Sequence, residues 1–400
     1  MKKWKRRLCM ILILLAILYS VLLQPIVAYA SNSSLRKLQE DLTQQVEQSL
    51  ESIDFEDMNI ILDAFSEEQL QVFNSNNFSS KIGAIIKGDI AVKYDSFFQG
   101  VLSQILMSIL RYAPMFALIV GIGILSSLLN NIKSKNNEKG VGDIIHFVCF
   151  CLVIIVSATA ITNIMQSTTN AINNMKTQMD ITFPILLTLT AGLGANSSVA
   201  VYQPAVALLS SGIIQIFSKI IFPIFILSFV FCIVGNLSNN VKLDKYNSFL
   251  SSIFKWIIGI VFTTFFAFLT IQGLSASSFD SVSIRTAKFT LKSYVPILGG
   301  YLSEGFDLIM SSTILVKNAV GLVGMIVLII SIITPILNIV VFSLMLKAVS
   351  AILQPLSDNR ISSFLQDCSK SITMLLTCII GIAFMYFLST GLIMATANVL

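Results

Sequence analysis

The sequence predicts an all-α polytopic membrane protein, a helical bundle with broken or re-entrant segments and a small exported α-helical domain. Composition predicts the class: 55% of the 400 residues are hydrophobic and 12% are charged, which is unlike a soluble protein. Several apolar runs also approach the roughly 20 residues that a helix needs to cross a bilayer. The predicted spans are 112–129, 144–165, 199–217, 220–237, 256–274, 320–333, 335–353 and 371–397.

The first 30 residues have the three parts of a secretory signal. A basic stretch from Lys2 to Arg7 precedes the apolar residues 8–23, and Ala28-Tyr29-Ala30 places small residues at a cleavage site. We expect cleavage after Ala30. The alternative is an uncleaved anchor helix, because the apolar core is longer than most. Either way, residues 31–99 lie outside the cytoplasm.

Residues 31–99 carry more acidic than basic side chains and are predicted to form an exported acidic helical domain. Apolar residues recur at three- and four-residue steps from Leu35 to Ile53, which gives one stripe on a polar helix. The stripe packs within this domain or serves as a docking face. Residues 100–400 then form the polytopic transmembrane domain.

Short basic loops orient the spans. Lys133, Lys135 and Lys139 lie in one loop, and Lys242 and Lys245 lie in another. The excess of lysine predicts that both loops are cytoplasmic. An amide-rich loop, 166–180, is expected outside, and a basic cluster at 285–292 departs from the rule if it is also outside.

Two segments combine proline with glycine inside apolar sequence. An apolar piece of about ten residues is too short for an ordinary span, and irregular backbone at membrane depth must be buried in protein or line a wet cavity. Both segments are therefore predicted to be re-entrant or broken helices that border a conduit. For the second, a surface loop in the headgroups is the alternative. The candidate conduit residues are Pro184, Gly192, Gly194, Pro296, Gly299, Gly300, Glu304 and Asp307.

An internal repeat is suggested by a constant offset of 115 residues. Ser248–Ile257 and Ser363–Ile372 share five of ten residues. Repeats 181–274 and 293–397 would each contain a broken proline segment, an apolar hairpin, a charged loop and a span. In transporters, the broken helices of such repeats meet at the substrate path. Chance similarity between apolar sequences is the alternative.

Chemistry-bearing residues are few, which predicts a protein that is not an enzyme. His146 is the single histidine, and the cysteines have no metal-type spacing and no disulfide pattern. No phosphate loop or catalytic motif occurs, so we expect no catalytic residue, no metal, no cofactor and no nucleic acid. Lys219, Lys317 and Lys347 interrupt apolar runs and are expected to snorkel toward water.

The run Tyr294-Val295-Pro296-Ile297-Leu298-Gly299-Gly300-Tyr301-Leu302-Ser303-Glu304, with Arg285-Thr286-Ala287-Lys288 upstream, resembles the stage III sporulation protein AE family of endospore-forming Firmicutes. The family more often has Asp at the position of Glu304. The resemblance implies a multi-pass protein of the mother-cell membrane around the forespore. It also implies an oligomeric trans-envelope channel with other proteins of its operon and a forespore-side partner, needed for late forespore gene expression.

Three functions remain open at this point. The chain lines a conduit with its broken helices, or it is a scaffold that anchors the complex without conducting, or it is a small-molecule transporter.

Overall fold

The computed structural model describes residues 44–50, 53, 55–63, 65, 69–70, 73, 77–86, 94–134, 139–237, 243–294, 299–355 and 359–397. The predicted signal, the first part of the apolar stripe and Pro296 lie outside these ranges. Residues Gln45–Leu400 form one compact unit, and of the unit Met1–Gln44 only Gln44 is described. Every regular element in the described ranges is a helix, which confirms the all-α polytopic class.

The helices are numbered in chain order. They are α1 (Glu56–Asp63), α2 (Phe78–Ile86), α3 (Tyr94–Ser134), α4 (Lys139–Gly192), α5 (Asn196–Leu237), α6 (Asp244–Tyr294), α7 (Gly299–Leu353) and α8 (Asn359–Ala395). Helix α5 contains two π-helical turns, Leu208–Ile213 and Phe217–Ile221. The second π turn comes just before Pro223. The ring nitrogen of proline cannot donate a backbone hydrogen bond, and a π turn is a common way for a helix to accommodate the missing donor.

Six helices are long and apolar enough to cross a membrane, and several are longer than a bilayer is thick. The six candidate spans lie in α3 to α8. The span Gly305–Leu353 of α7 has 49 residues, which corresponds to about 73 Å at 1.5 Å per residue. Because the hydrocarbon core is only about 30 Å thick, part of this helix extends beyond the bilayer.

The spanning helices form three antiparallel hairpins, α3/α4, α5/α6 and α7/α8, whose connected ends lie at one end of the bundle. A β-carbon on Gly123, near the end of α3, would collide with Leu353 at the end of α7. Near the same end, Phe150 at the start of α4 packs edge-to-face on Phe364 of α8, with ring centroids 5.4 Å apart. We call this end, which adjoins residues 135–138, 238–242 and 356–358, the loop end.

Helices α7 and α8 form the centre of the bundle and are joined by a serine ladder. Ser350 and Ser362 place their hydroxyl oxygens 3.0 Å apart, and Ser343 and Ser369 do so at 2.8 Å. In each pair the hydroxyls also donate to the carbonyl oxygen of the partner residue. Small residues allow the close approach of helices on which such interhelical hydrogen bonds depend in membranes.

The short helices α1 and α2 share one hydrophobic core with the bundle. Phe55, Met58, Phe78 and Ile82 are buried in it. The domain boundary at residue 99 stays a prediction; α3 runs through that position without interruption.

Prolines and amides do not break the helices as the sequence suggested. Pro184 lies inside α4, Pro335 lies inside α7, and residues 166–180, expected to form a loop, are helical. The pairs of runs 199–217/220–237 and 320–333/335–353 are therefore single helices, α5 and α7, instead of hairpins. Near Pro335, two glutamine side chains from outside the helix donate to α7: Gln69 Nε2 to the Ile330 carbonyl at 3.1 Å and Gln178 Nε2 to the Ser331 hydroxyl at 3.0 Å.

Candidate functional site

The two proline-glycine segments come together at the end of the bundle opposite the loop end. Leu193 of the first segment packs with Met310, which follows the second segment along α7, and with Ile284 of α6. Phe306 and Ala397, which follows α8, flank this small cluster. We call the region the helix-end junction: the turn 193–195, residues 280–284 of α6, residues 306–317 of α7 and residues 396–397.

The turn between α4 and α5 is a Schellman motif. The Gly194 N–H donates to the Ala191 carbonyl at 2.8 Å, and the Ala195 N–H donates to the Thr190 carbonyl at 3.2 Å. Gly194 has φ +78°, the left-handed conformation that this motif requires and that glycine adopts without a β-carbon penalty. The sequence at Gly192–Gly194 thus ends one helix and lets the next begin after one further residue.

Asp280 of α6 caps the beginning of α5 from across the junction. Helix α5 has Ala195 at its N-cap, which offers no side-chain acceptor. The Asp280 carboxylate instead accepts hydrogen bonds from the Ser197 N–H at 3.0 Å and the Ser198 N–H at 2.9 Å. Asp280 is only 2% exposed. The positive end of the helix dipole and the two N–H donors together stabilise the buried negative charge.

Lys317 of α7 caps the last helix at the same junction. Its ammonium group donates to the carbonyl oxygen of Thr396, at the C-terminus of α8, where the helix dipole is negative. Lys317 is fully buried, so the expectation that it snorkels is wrong. Lys219 and Lys347 are exposed, as expected for lysine side chains that extend toward water.

The remaining candidate conduit residues that the structure describes lie on α4 and α7. Pro184 and Gly192 are exposed on α4, and Asp307 is half-buried on α7. Gly299 and Gly300 begin α7, and the side chain of Glu304 lies outside the described residues, as does Pro296. A conduit role for these residues stays a prediction.

Sequence reasoning missed the roles of Asp280 and Lys317 because each is defined by a partner about 80 residues away. A signal was nevertheless present, since an ionisable residue within an apolar protein is a functional candidate by default. Within the described ranges, no group of three His, Cys, Asp or Glu residues could hold a metal ion. The described residues of the junction offer charge pairing at helix ends.

A polar stripe runs along α7 at seven-residue steps from the junction toward the loop end. It consists of Lys317, Gly324, Ser331 and Asn338. A β-carbon at Gly324 would lie 2.9 Å from the Thr182 methyl group, and Asn338 accepts a hydrogen bond from Ser108 at 2.6 Å. Lys317 contacts Thr396 after α8, Gly324 and Ser331 contact α4, and Asn338 contacts α3. The stripe therefore fixes how α7 sits among its neighbours.

Comparison with known proteins places this architecture in a family. Residues 76–397 match the family model described as Stage III sporulation protein AE. The chain is 24% identical over 313 residues to the Stage III sporulation protein AE of Bacillus subtilis (strain 168), and the match covers 78% of each chain. No solved structure matches the chain.

Proposed function

The chain belongs to the stage III sporulation protein AE family, and from this premise we propose that it is an integral membrane component of the mother-cell to forespore channel complex needed for endospore formation. It resides in the mother-cell membrane around the forespore, as a multi-pass protein. Its partners are other membrane proteins of the complex, including one on the forespore side.

One observation supports a proposal for what a single copy contributes: the centre of the bundle is filled with buried side chains. Phe342 and Leu346 of α7 and Leu375, Ile379 and Ile382 of α8 are fully buried. Interiors packed in this way leave few voids larger than a water molecule. The geometry therefore favours a packed subunit that anchors the complex, with any conduit between subunits, over a transporter that conducts through one chain.

The orientation we propose follows from the lysine-rich loops and the predicted signal. Residues 135–138, 238–242 and 356–358 face the mother-cell cytoplasm, and residues 31–99 and the helix-end junction lie outside it. A cysteine introduced at Asn136 should react only with membrane-permeant reagents. Reaction with an impermeant reagent added from outside would contradict the orientation.

A flux experiment separates the packed subunit from a transporter. The purified chain is reconstituted alone in liposomes loaded with a small fluorescent solute, beside a known pore protein as positive control. We expect no more leakage than from protein-free liposomes. Rapid release by the chain alone would support the single-chain transporter.

A second experiment tests the conduit-lining alternative in a sporulating host that lacks its own copy. Gly300→Leu and Glu304→Gln are compared with Gly305→Leu, a matched control because a β-carbon at Gly305 meets no atom within 4 Å. Lost spore yield from the first two variants at normal membrane abundance, with full yield from the control, would favour a lining role. Full yield from all three would favour the scaffold.

A further inference from the structure

A groove on the outer face of α6 has the features of a lipid headgroup site. Its volume is about 460 Å³. It lies where the polar first turns of α6 give way to its apolar span, and it is open to the surroundings of the bundle. Its lining residues are Lys255, Trp256, Gly259, Ile260, Thr263 and Thr264.

The shape of the groove depends on a missing side chain. A β-carbon at Gly259 would meet nothing within 4 Å, so the space above it is open. Trp256 is 72% exposed and Ile260 is 57% exposed, and they border this space. An exposed tryptophan beside a lysine is typical of the headgroup level of a membrane protein.

Comparison with the second half of the chain shows that the groove lacks a carboxylate partner for its lysine. At the offset of 115 residues, Lys255 corresponds to Lys370, which pairs with Asp367 at 2.8 Å. Ser252 stands at the position of Asp367, and its hydroxyl donates to the Ser248 carbonyl of its own helix. Among the described residues, no carboxylate pairs with Lys255. Met374, which is buried, occupies the position that corresponds to Gly259.

We infer that this groove binds an anionic phospholipid of the membrane leaflet at the loop end. The phosphate supplies the counter-charge of Lys255, the threonine hydroxyls and the indole N–H offer further donors, and an acyl chain lies over Gly259. A second helix is a poorer occupant, because packing against this face would bury the ammonium group without a partner. The sequence adds Lys242 and Lys245 on the same side, which strengthens the attraction to an anionic surface.

The test uses Trp256 as its own reporter. The chain has two tryptophans, so full-length protein with Trp4→Phe fluoresces from Trp256 alone. It is reconstituted in phosphatidylcholine vesicles that contain a small, fixed fraction of either brominated phosphatidylglycerol or brominated phosphatidylcholine. We expect clearly stronger quenching by the anionic lipid, since one lysine near the surface corresponds to roughly fivefold enrichment.

Matched variants assign the effect to the groove. Lys255→Gln should remove the preference, Gly259→Leu should weaken it by filling the groove, and Lys370→Gln should leave it unchanged. Equal quenching by the two lipids, or a preference that survives Lys255→Gln, would overturn the proposal. So would loss of the preference in inorganic phosphate relative to chloride of equal ionic strength, since the site would then take free phosphate. Protection of Trp256 that grows with protein density would instead assign the groove to a second copy.

Discussion

Among the described residues, Asp280 supplies the acceptor for the Ser197 and Ser198 N–H groups at the start of α5. Replacing Asp280 by alanine removes this acceptor. In the native protein the carboxylate accepts from Ser197 and Ser198 and is almost completely buried. The turn before α5 is too tight to reorganise around an alanine N-cap, because Gly194 and Ala195 already donate to α4. Ser197 is exposed and Ser198 is buried, so the Ser198 N–H is the donor that would stay buried after losing its carboxylate acceptor.

The size of the effect follows from the buried Ser198 donor and the helix dipole. A buried donor left unsatisfied costs about 1–3 kcal/mol, and loss of a negative charge at a helix N-terminus adds about 0.3–1 kcal/mol. Together these give about 1.3–4 kcal/mol. A loss at the lower bound already increases the open population of the first turn of α5 by roughly ninefold.

Amide hydrogen exchange in detergent micelles or nanodiscs measures the open population of this turn directly. The peptide that contains Ser197 and Ser198 should exchange faster in Asp280→Ala by at least that factor, while α7 and α8 change less. Asp180→Ala is the matched control: its ion pair with Lys176 is on the surface, with side chains 41% and 43% exposed, and such pairs contribute about 0–1 kcal/mol. Unchanged exchange at Ser197 and Ser198 in Asp280→Ala would refute the capping role.

Three further predictions concern the packing of α7. Lys317→Met should loosen the C-terminal turn of α8 by about 1–3 kcal/mol, seen as faster amide exchange there, while Lys347→Met on the exposed face should leave it unchanged. In a chain without native cysteines, Ser350→Cys with Ser362→Cys should form a disulfide under mild oxidation, and failure to do so would contradict the serine register. Gly324→Leu should lower the melting temperature, because overpacking costs about 1–3 kcal/mol; an unchanged melting temperature would show that α4 can move aside.

The membrane helices were predictable because apolar runs and lysine-rich loops carry the signal locally. The offset of 115 residues found in the sequence recurs in the structure, where α6 begins at Asp244 and α8 at Asn359. Gene duplication itself stays a prediction.

The continuity of the long helices could not be read from the sequence. Whether a proline ends a helix depends on how the surrounding elements pack, and near Pro335 of α7 these neighbours include Gln69 and Gln178, far away in sequence. The amide-rich stretch was expected to be a loop because its residues are polar, yet Thr168 and Gln178 are buried. For the same reason, residue spacing could not predict the partners of Asp280 and Lys317.

The serine ladder between α7 and α8 limits how the protein can move. Its two rungs lie seven residues apart on both helices, so sliding one helix along the other by a single turn, about 5.4 Å, would break both rungs and place larger side chains in the gap. The hairpin should therefore move as one rod. We expect a displacement at its loop end to reach the Lys317–Thr396 contact, so that the hairpin couples the two ends of the bundle.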